Sequence, residues 1–409
     1  MILSEGQKQQ FSEILETLGE TLDITETQYN TAVSSYKAVG EWLAKPESAL
    51  SPYSPEIRPQ GSFMLGTMIK SINEKDDLDI DLVCELTGKN PQWTQYHLKQ
   101  IVGNRLKDHI TYNDMLDKEG RRCWTLRYTD SSNYHLDILP SLVCHDYKII
   151  LERTFSATAI TDNNYDSLAI RITDKEHIGY MTDPVSENWM KSNPFGYAKW
   201  FFNEAVIEQR KTVMLSASVS PVPKYQKEKL PLQRVVQILK RHRDMMFNGS
   251  EDKPISIIIT TLASRAYKKE SSVIDALTNV VANMHLYIEN RFDPFLGKYI
   301  KWIANPVNPE ENFADKWADH PLREYNFHKW VQQVQKDIEL LLQQQGIHHI
   351  SAAMSKPFGE TSVNKTFSVL AERSLDNRQN GDLKMNKNTG VLNSLGTIPV
   401  LTHNFHGKD

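Results

Sequence analysis

Two short segments constrain this chain more than any others: Leu78-Asp79-Ile80-Asp81-Leu82-Val83 and His135-Leu136-Asp137-Ile138-Leu139-Pro140. In both, apolar side chains alternate with polar ones, the period of a strand with one face in a core. Asp79 and Asp81 therefore share one face, while Leu78, Ile80 and Leu82 share the other. Two like charges side by side on a sheet weaken it unless a hard cation such as Mg²⁺ binds between them. Asp137, in a second strand with the same alternation, supplies a third carboxylate. Asp77 has the same parity but precedes the apolar run, so it is set aside. The expectation is a metal site on a sheet.

A chain of 409 residues is too long for one ordinary core, and two lobes with a tail are expected. Apolar residues at 40% and charged residues at 24% are those of a soluble globular protein. With 47 Lys and Arg against 51 Asp and Glu, no global basic field exists to hold long nucleic acid, although a local basic groove remains open. Cys84, Cys123 and Cys144 lack metal-binding spacing, and their odd number argues against a disulfide framework, so they are expected to be buried thiols. The start, Met1 to Lys8, lacks the apolar core of a signal peptide, and no apolar run reaches membrane-spanning length. These features predict a cytoplasmic protein with no membrane association.

Residues 10–43 read as one long N-terminal helix that braces both lobes, closed by a loop around Pro46 and Pro52. Gly61-Ser62 then opens a short segment that leads into the Asp-bearing strand. Residues 91–109 read as helix, followed by a β-meander over 110–116, 122–128 and 134–139. From about residue 200 the pattern turns helical, with helices expected over 203–213, 231–247, 255–268, 271–287 and 322–344, and one from 359 to 372. The stretch 376–396, rich in Asn, Gly, Lys and Ser, reads as a flexible linker before a more apolar end. The division expected is 1–200, 201–375 and 376–409.

Gly61-Ser62 at a helix start offers backbone N–H groups and a hydroxyl to a phosphate. Joined to three carboxylates, it suits nucleotidyl transfer, in which Mg²⁺ clamps a triphosphate and in-line attack expels pyrophosphate. The pattern Gln60-Gly61-Ser62-Phe63, with Asp79-Ile80-Asp81 beginning seventeen positions after Ser62, resembles the polymerase-β-type nucleotidyltransferases. Within them, the chain most resembles the cGAS/DncV-like enzymes (CD-NTases, the SMODS group), which make cyclic oligonucleotide signals in CBASS anti-phage defence. Leu136-Asp137-Ile138-Leu139-Pro140 matches the pattern around the third carboxylate of that family. Val235–Arg243 and Ile255–Leu262 resemble the helices that bring a lysine and a serine to the triphosphate, which assigns those roles to Lys240 and Ser256.

The resemblance implies an α+β fold: a nucleotidyltransferase lobe with a mixed twisted sheet and a mostly helical second lobe, with the active site in the cleft between them. It also implies two Mg²⁺ ions, with Mn²⁺ as a substitute, held by Asp79, Asp81 and Asp137. Gln60, Gly61, Ser62, Lys240 and Ser256 would bind the triphosphate. Substrates would be ATP or GTP, with UTP and CTP open, and the product a cyclic di- or trinucleotide that acts on a separate effector. In some operons of the family an ubiquitin-transfer-like enzyme handles the synthase's C-terminus, so such a partner is an open expectation here. Two other readings stay open: a linear oligonucleotide synthase or RNA or protein nucleotidyltransferase, and a non-catalytic nucleotide- or RNA-binding module. In the basic cluster around Lys240, one residue is expected to face phosphate, with Arg241 second to Lys240, and the rest to face water. Trp124, Tyr128 and Tyr197 are read as core aromatics, and His348, His349, His403 and His406 as surface histidines.

Overall fold

The N-terminal segment expected as one long helix is two, α1 (Glu5–Leu22) and α2 (Glu26–Ala44). Asp23 leaves the helical region at ψ 143°, and Thr25 starts the second helix with a reciprocal cap to Gln28. A computed structural model describes residues 3–72, 78–129, 133–155, 165–207, 225–385, 387, 392–393 and 397–400. It divides into a sheet-bearing unit, residues 24–229 with 304–313, and a helical unit comprising residues up to 23, 230–303 and those from 314 onward. The single boundary expected near residue 200 is therefore replaced by four crossings. α1 belongs to the helical unit because Arg234 bonds Glu16 and Asp23; the segment 304–313 belongs to the sheet-bearing unit, where Phe313 meets Tyr197 at 6.2 Å between ring centroids.

In the sheet-bearing unit, α2 is followed by β1 (Glu56–Pro59), α3 (Gly61–Leu65), β2 (Leu78–Thr87), α4 (Gln95–Lys107), α5 (Ile110–Met115), β3 (Trp124–Tyr128) and β4 (Tyr134–Val143). α6 (Tyr147–Thr154), β5 (Ile170–Ile172), β6 (Lys191–Ser192) and α7 (Pro194–Ala205) complete it, with a small hairpin at Ala304–Asn305 and Asn308–Asn312. The strand order is β1-β2-β4-β5-β6, with β3 also on β4. β2 and β4 run parallel and every other neighbouring pair in this sheet is antiparallel, so the sheet is mixed, as expected. Leu78, Ile80, Leu82, Leu136 and Ile138 form one core with Tyr29, Val33, Tyr36 and Val39 of α2 and with Leu98, Val102 and Leu106 of α4. That packing commits one face of β2 and β4 to the core and leaves the aspartates on the other.

The first strand of the expected meander is instead the helix α5. Its Ile-Thr run signals strand, but His109 caps the segment by accepting from the Tyr112 N–H at 3.4 Å. The helix expected over 203–213 lies earlier, in α7, where Asn193 caps and Pro194 opens it; residues 208–224 are outside the described residues.

The helical unit is built around the helix Pro231–Phe247, which touches α1 and the helices Ser256–Ala266, Val273–Asn283 and Ile347–Phe358. Pro321–Leu342 and Glu360–Gln379 complete it, with a hairpin of Glu289–Asp293 and Lys298–Trp302. The last long helix runs beyond the expected 372, to Gln379. Within the expected linker, Lys384–Met385 pairs with Leu392–Asn393 and with Ile398–Pro399, so 376–396 is not simply flexible chain. Residues 401–409 are outside the described residues. Among the described residues, no helix is long and apolar enough to cross a membrane. The cysteines are free, with Cys84 buried, Cys123 half-buried and Cys144 exposed, so only one of the three is the buried thiol expected.

Candidate active site

The sheet register places the carboxylates. In the parallel pair, Asp81 lies opposite Asp137 and Asp79 opposite His135. In the antiparallel pair on the other side of β4, Thr125 lies opposite Asp137 and Arg127 opposite His135. Directly opposed residues share a face, so two rows cross it: Thr125, Asp137 and Asp81, then Arg127, His135 and Asp79. Their neighbours Ile80, Leu136, Ile138 and Leu126 are buried on the far side, which fixes the orientation of the whole patch.

Within the first row, the Thr125 hydroxyl donates to Asp137 Oδ1 at 2.5 Å. In the second, His135 Nε2 pairs with Asp79 Oδ1. Arg127 pairs with Asp117 Oδ2 at 2.7 Å. Cys123 lies close by: burial, aided by the Asp137 and Asp81 charges, pushes its thiol up to about 12, so it stays protonated and is no thiolate nucleophile.

The Gly61 turn abuts this patch. The Gln60 N–H donates to the Asp81 carbonyl at 2.8 Å, continuing the β1–β2 ladder into the turn. Gly61 has φ +58°, and a Cβ there would strike the Asp81 carboxylate. Both the left-handed backbone and the close approach therefore require glycine. Ser62 follows, and its carbonyl accepts from the Thr67 N–H at 3.0 Å as α3 closes on the left-handed Gly66. Gly61, Asp81 and Asp137 are thus brought together on one face of the sheet, with Gln60 and Asp79 beside them.

Lys240 and Ser256 belong to the helical unit. Every residue from Pro231 to Arg243 is buried, so the expectation that most of the basic cluster faces water fails for Arg234, Arg241 and Arg243. Arg243 Nη1 donates to Ser256 Oγ at 2.9 Å and to the Pro254 carbonyl at 3.1 Å. Lys240, one turn before Arg243, shares its helix face. Arg243 is the residue that sequence reasoning missed here, because only the fold sets Ser256 against it.

Trp124 and Tyr197 are buried, as expected of core aromatics, and Tyr128 stacks on Tyr134 at 4.7 Å. His348 and His349 are exposed, whereas His403 and His406 are outside the described residues, as is Asp77. Sequence reasoning also missed Thr125 and His135. Parity would have found His135, two positions before Asp137, but Thr125 becomes visible only through the β3–β4 register.

The donor chemistry of this patch, carboxylate oxygens on a rigid sheet, fits a hard divalent cation. The three carboxylates lie in two neighbouring rows of one face of the sheet. Among the described residues, no three His, Cys, Asp or Glu side chains are grouped to hold a metal. Asp81 and Asp137 form the opposed pair, and Asp79 is turned to His135.

A mixed sheet with paired aspartates and a Gly-Ser turn against one of them is the arrangement expected of a nucleotidyltransferase. Residues 55–140, which contain the Gly61 turn and all three aspartates, match the family model "Cyclic GMP-AMP synthase DncV-like, nucleotidyltransferase domain". The chain is 28% identical to a c-di-GMP synthase of Roseivirga ehrenbergii, with the whole of both chains covered. It is 21% identical to the cyclic dinucleotide synthase CdnG of Bradyrhizobium diazoefficiens, over 80% of this chain and 74% of that one. The structure of that CdnG in complex with GTP shares the fold, with a TM-score of 0.64 at 18% identity, covering 88% of this chain and 99% of the other. Residues 55–140 thus match a DncV-like nucleotidyltransferase domain, and the likenesses over the rest of the chain support a CD-NTase.

Proposed function

We propose that this enzyme condenses nucleoside triphosphates into a cyclic dinucleotide, releasing one pyrophosphate for each of the two bonds formed. The observation that carries the reading is the opposed Asp81–Asp137 pair with the Gly61 turn held against Asp81. Support for a ring of two nucleotides, and for guanine among its bases, comes from the c-di-GMP synthase that matches the chain end to end.

Asp79, Asp81 and Asp137 would hold Mg²⁺, which when bound neutralises triphosphate charge and makes a ribose hydroxyl easier to deprotonate. Gln60, Gly61 and Ser62 bring a backbone that approaches closely, with a short hydroxyl beside it, to a phosphate chain. Lys240 and Ser256 are assigned to the triphosphate by the family pattern, with Arg243 orienting the Ser256 hydroxyl. Asp137 takes the proton of the attacking hydroxyl, whose oxygen bonds the α-phosphorus as the bond to pyrophosphate breaks. Fixed carboxylates contribute mainly through position and charge, the usual source of rate in phosphoryl chemistry. Cytoplasmic location, a CBASS anti-phage role and a partner that handles the C-terminal tail belong to the same proposal and rest on the family.

Labelled ATP, GTP, CTP and UTP with Mg²⁺ provide the test, read by pyrophosphate release and by mass spectrometry of phosphatase-resistant products. A cyclic product that disappears in the Asp79→Ala/Asp81→Ala double variant is expected. Only linear products would refute cyclisation, and no pyrophosphate from any mixture would refute the reading altogether.

A further inference from the structure

Asp137 carries two of the roles just proposed, yet it sits on a strand surface with only its backbone fixed by the sheet. What holds its carboxylate is one side chain from the neighbouring strand. Thr125 lies directly opposite Asp137 in the β3–β4 ladder and donates its hydroxyl proton to Asp137 Oδ1 at 2.5 Å. Among the described residues, this is the one hydrogen bond the structure gives to that carboxylate. We infer that Thr125 is a positioning residue for the catalytic aspartate: it presets the Asp137 carboxylate for the divalent cation and leaves the second oxygen available.

Three features make Thr125 suited to this. A β-branched side chain in a strand has restricted χ1, so its hydroxyl is aimed by the backbone. β3 is itself held on both sides. The flanking Trp124 and Leu126 are buried at 2% and 0% exposure. The Asp117 N–H donates to the Thr125 carbonyl at 2.9 Å on the side away from β4. A hydroxyl donating to a charged oxygen makes a strong bond, and outer partners of this kind commonly change metal affinity by about 10–100-fold. The motif that resembles the family contains Asp137 but not Thr125, and twelve residues separate the two in sequence.

The inference rests on the proposed metal-dependent reading, and the test separates the two. Mn²⁺ is titrated alone into the full-length protein and the free ion is followed by electron paramagnetic resonance. Pyrophosphate release is measured in parallel. Thr125→Val keeps shape and β-branching but has no hydroxyl; Thr125→Ser keeps the hydroxyl. Val is expected to raise the Mn²⁺ Kd by about 10-fold or more and to lower kcat while KM for the triphosphate changes far less. Ser is expected to restore both, with thermal midpoints of both variants close to the parent. Should Val fold poorly, the Ser variant and Thr125→Ala complete the same comparison. Unchanged Mn²⁺ affinity in Val, alongside its loss in Asp137→Asn, overturns the role of Thr125 and leaves the reading intact. A parent protein that neither binds Mn²⁺ nor releases pyrophosphate overturns both.

Discussion

Replacing Arg234 by methionine should destabilise the helical unit by about 3–5 kcal/mol, the usual cost of breaking one side of a buried ion pair. Arg234 is fully buried and donates to Asp23 Oδ2 at 2.7 Å, to Glu16 Oε1 at 2.9 Å and to Gln237 Oε1 at 3.0 Å. Methionine retains much of the apolar stem, so the loss is chiefly electrostatic. Glu16 is more than a third exposed at its side chain and can return to water, contributing little. Asp23 is only 5% exposed and would lose its cation while keeping the Gln237 Nε2 donor at 2.7 Å. Most of the cost therefore arises at Asp23. At about 2–4 °C per kcal/mol for a body of 150–250 residues, a fall of ~10 °C in the thermal midpoint is expected. The double variant Arg234→Met/Asp23→Asn removes the stranded charge and keeps the hydrogen bond, so it should recover at least half of the loss. Thermal and urea unfolding followed by circular dichroism measure both. A single variant within about 2 °C of the parent would refute the reasoning, as would a double variant no more stable than the single.

Gly61→Ala places a Cβ on the Asp81 carboxylate at a residue with φ +58°. A cost of about 1–3 kcal/mol is expected, with pyrophosphate release falling by more than the stability loss explains; wild-type turnover would show that the turn has no part in the site. Asp174 carries the acid limb of the stability profile. Burial alone would raise its pKa, but hydrogen bonds from Arg121, Arg122 and the Glu176 N–H hold it down at about 2, against 3.8 when unfolded. Its contribution is complete above pH ~4 and is lost as pH falls through ~2, at most about 2 kcal/mol in all. Asp174→Asn should therefore flatten urea stability between those pH values relative to the parent, and parallel slopes for the two proteins would count against the assignment.

Periodicity carried much of the fold. The alternation around Asp79, Asp81 and Asp137 placed them on strands with one face buried, and the helix 231–247 was delimited by Pro231 and by the end of its apolar pattern. Local signals failed where neighbours decide. Ile110-Thr111-Tyr112 has strand-forming residues yet forms a helix, because His109 caps it. Residues 10–43 read as one helix, although a three-residue break divides them between two units. Arg241 and Arg243 looked like solvent-facing cations because charge is read as exposure, whereas both are buried on their helix.

By itself, the sequence determined the chemistry: three aspartates at strand spacing, a glycine-serine turn before them and the resemblance those residues carry. A side chain's parity along a strand is local information, so the face each aspartate occupies could be read from the chain. Which side chains oppose them could not, because register joins residues far apart in sequence. Only the tertiary structure set Thr125 against Asp137, His135 against Asp79 and Gly61 against Asp81. It also set Asp81 opposite Asp137, with Asp79 in the neighbouring row of the same face.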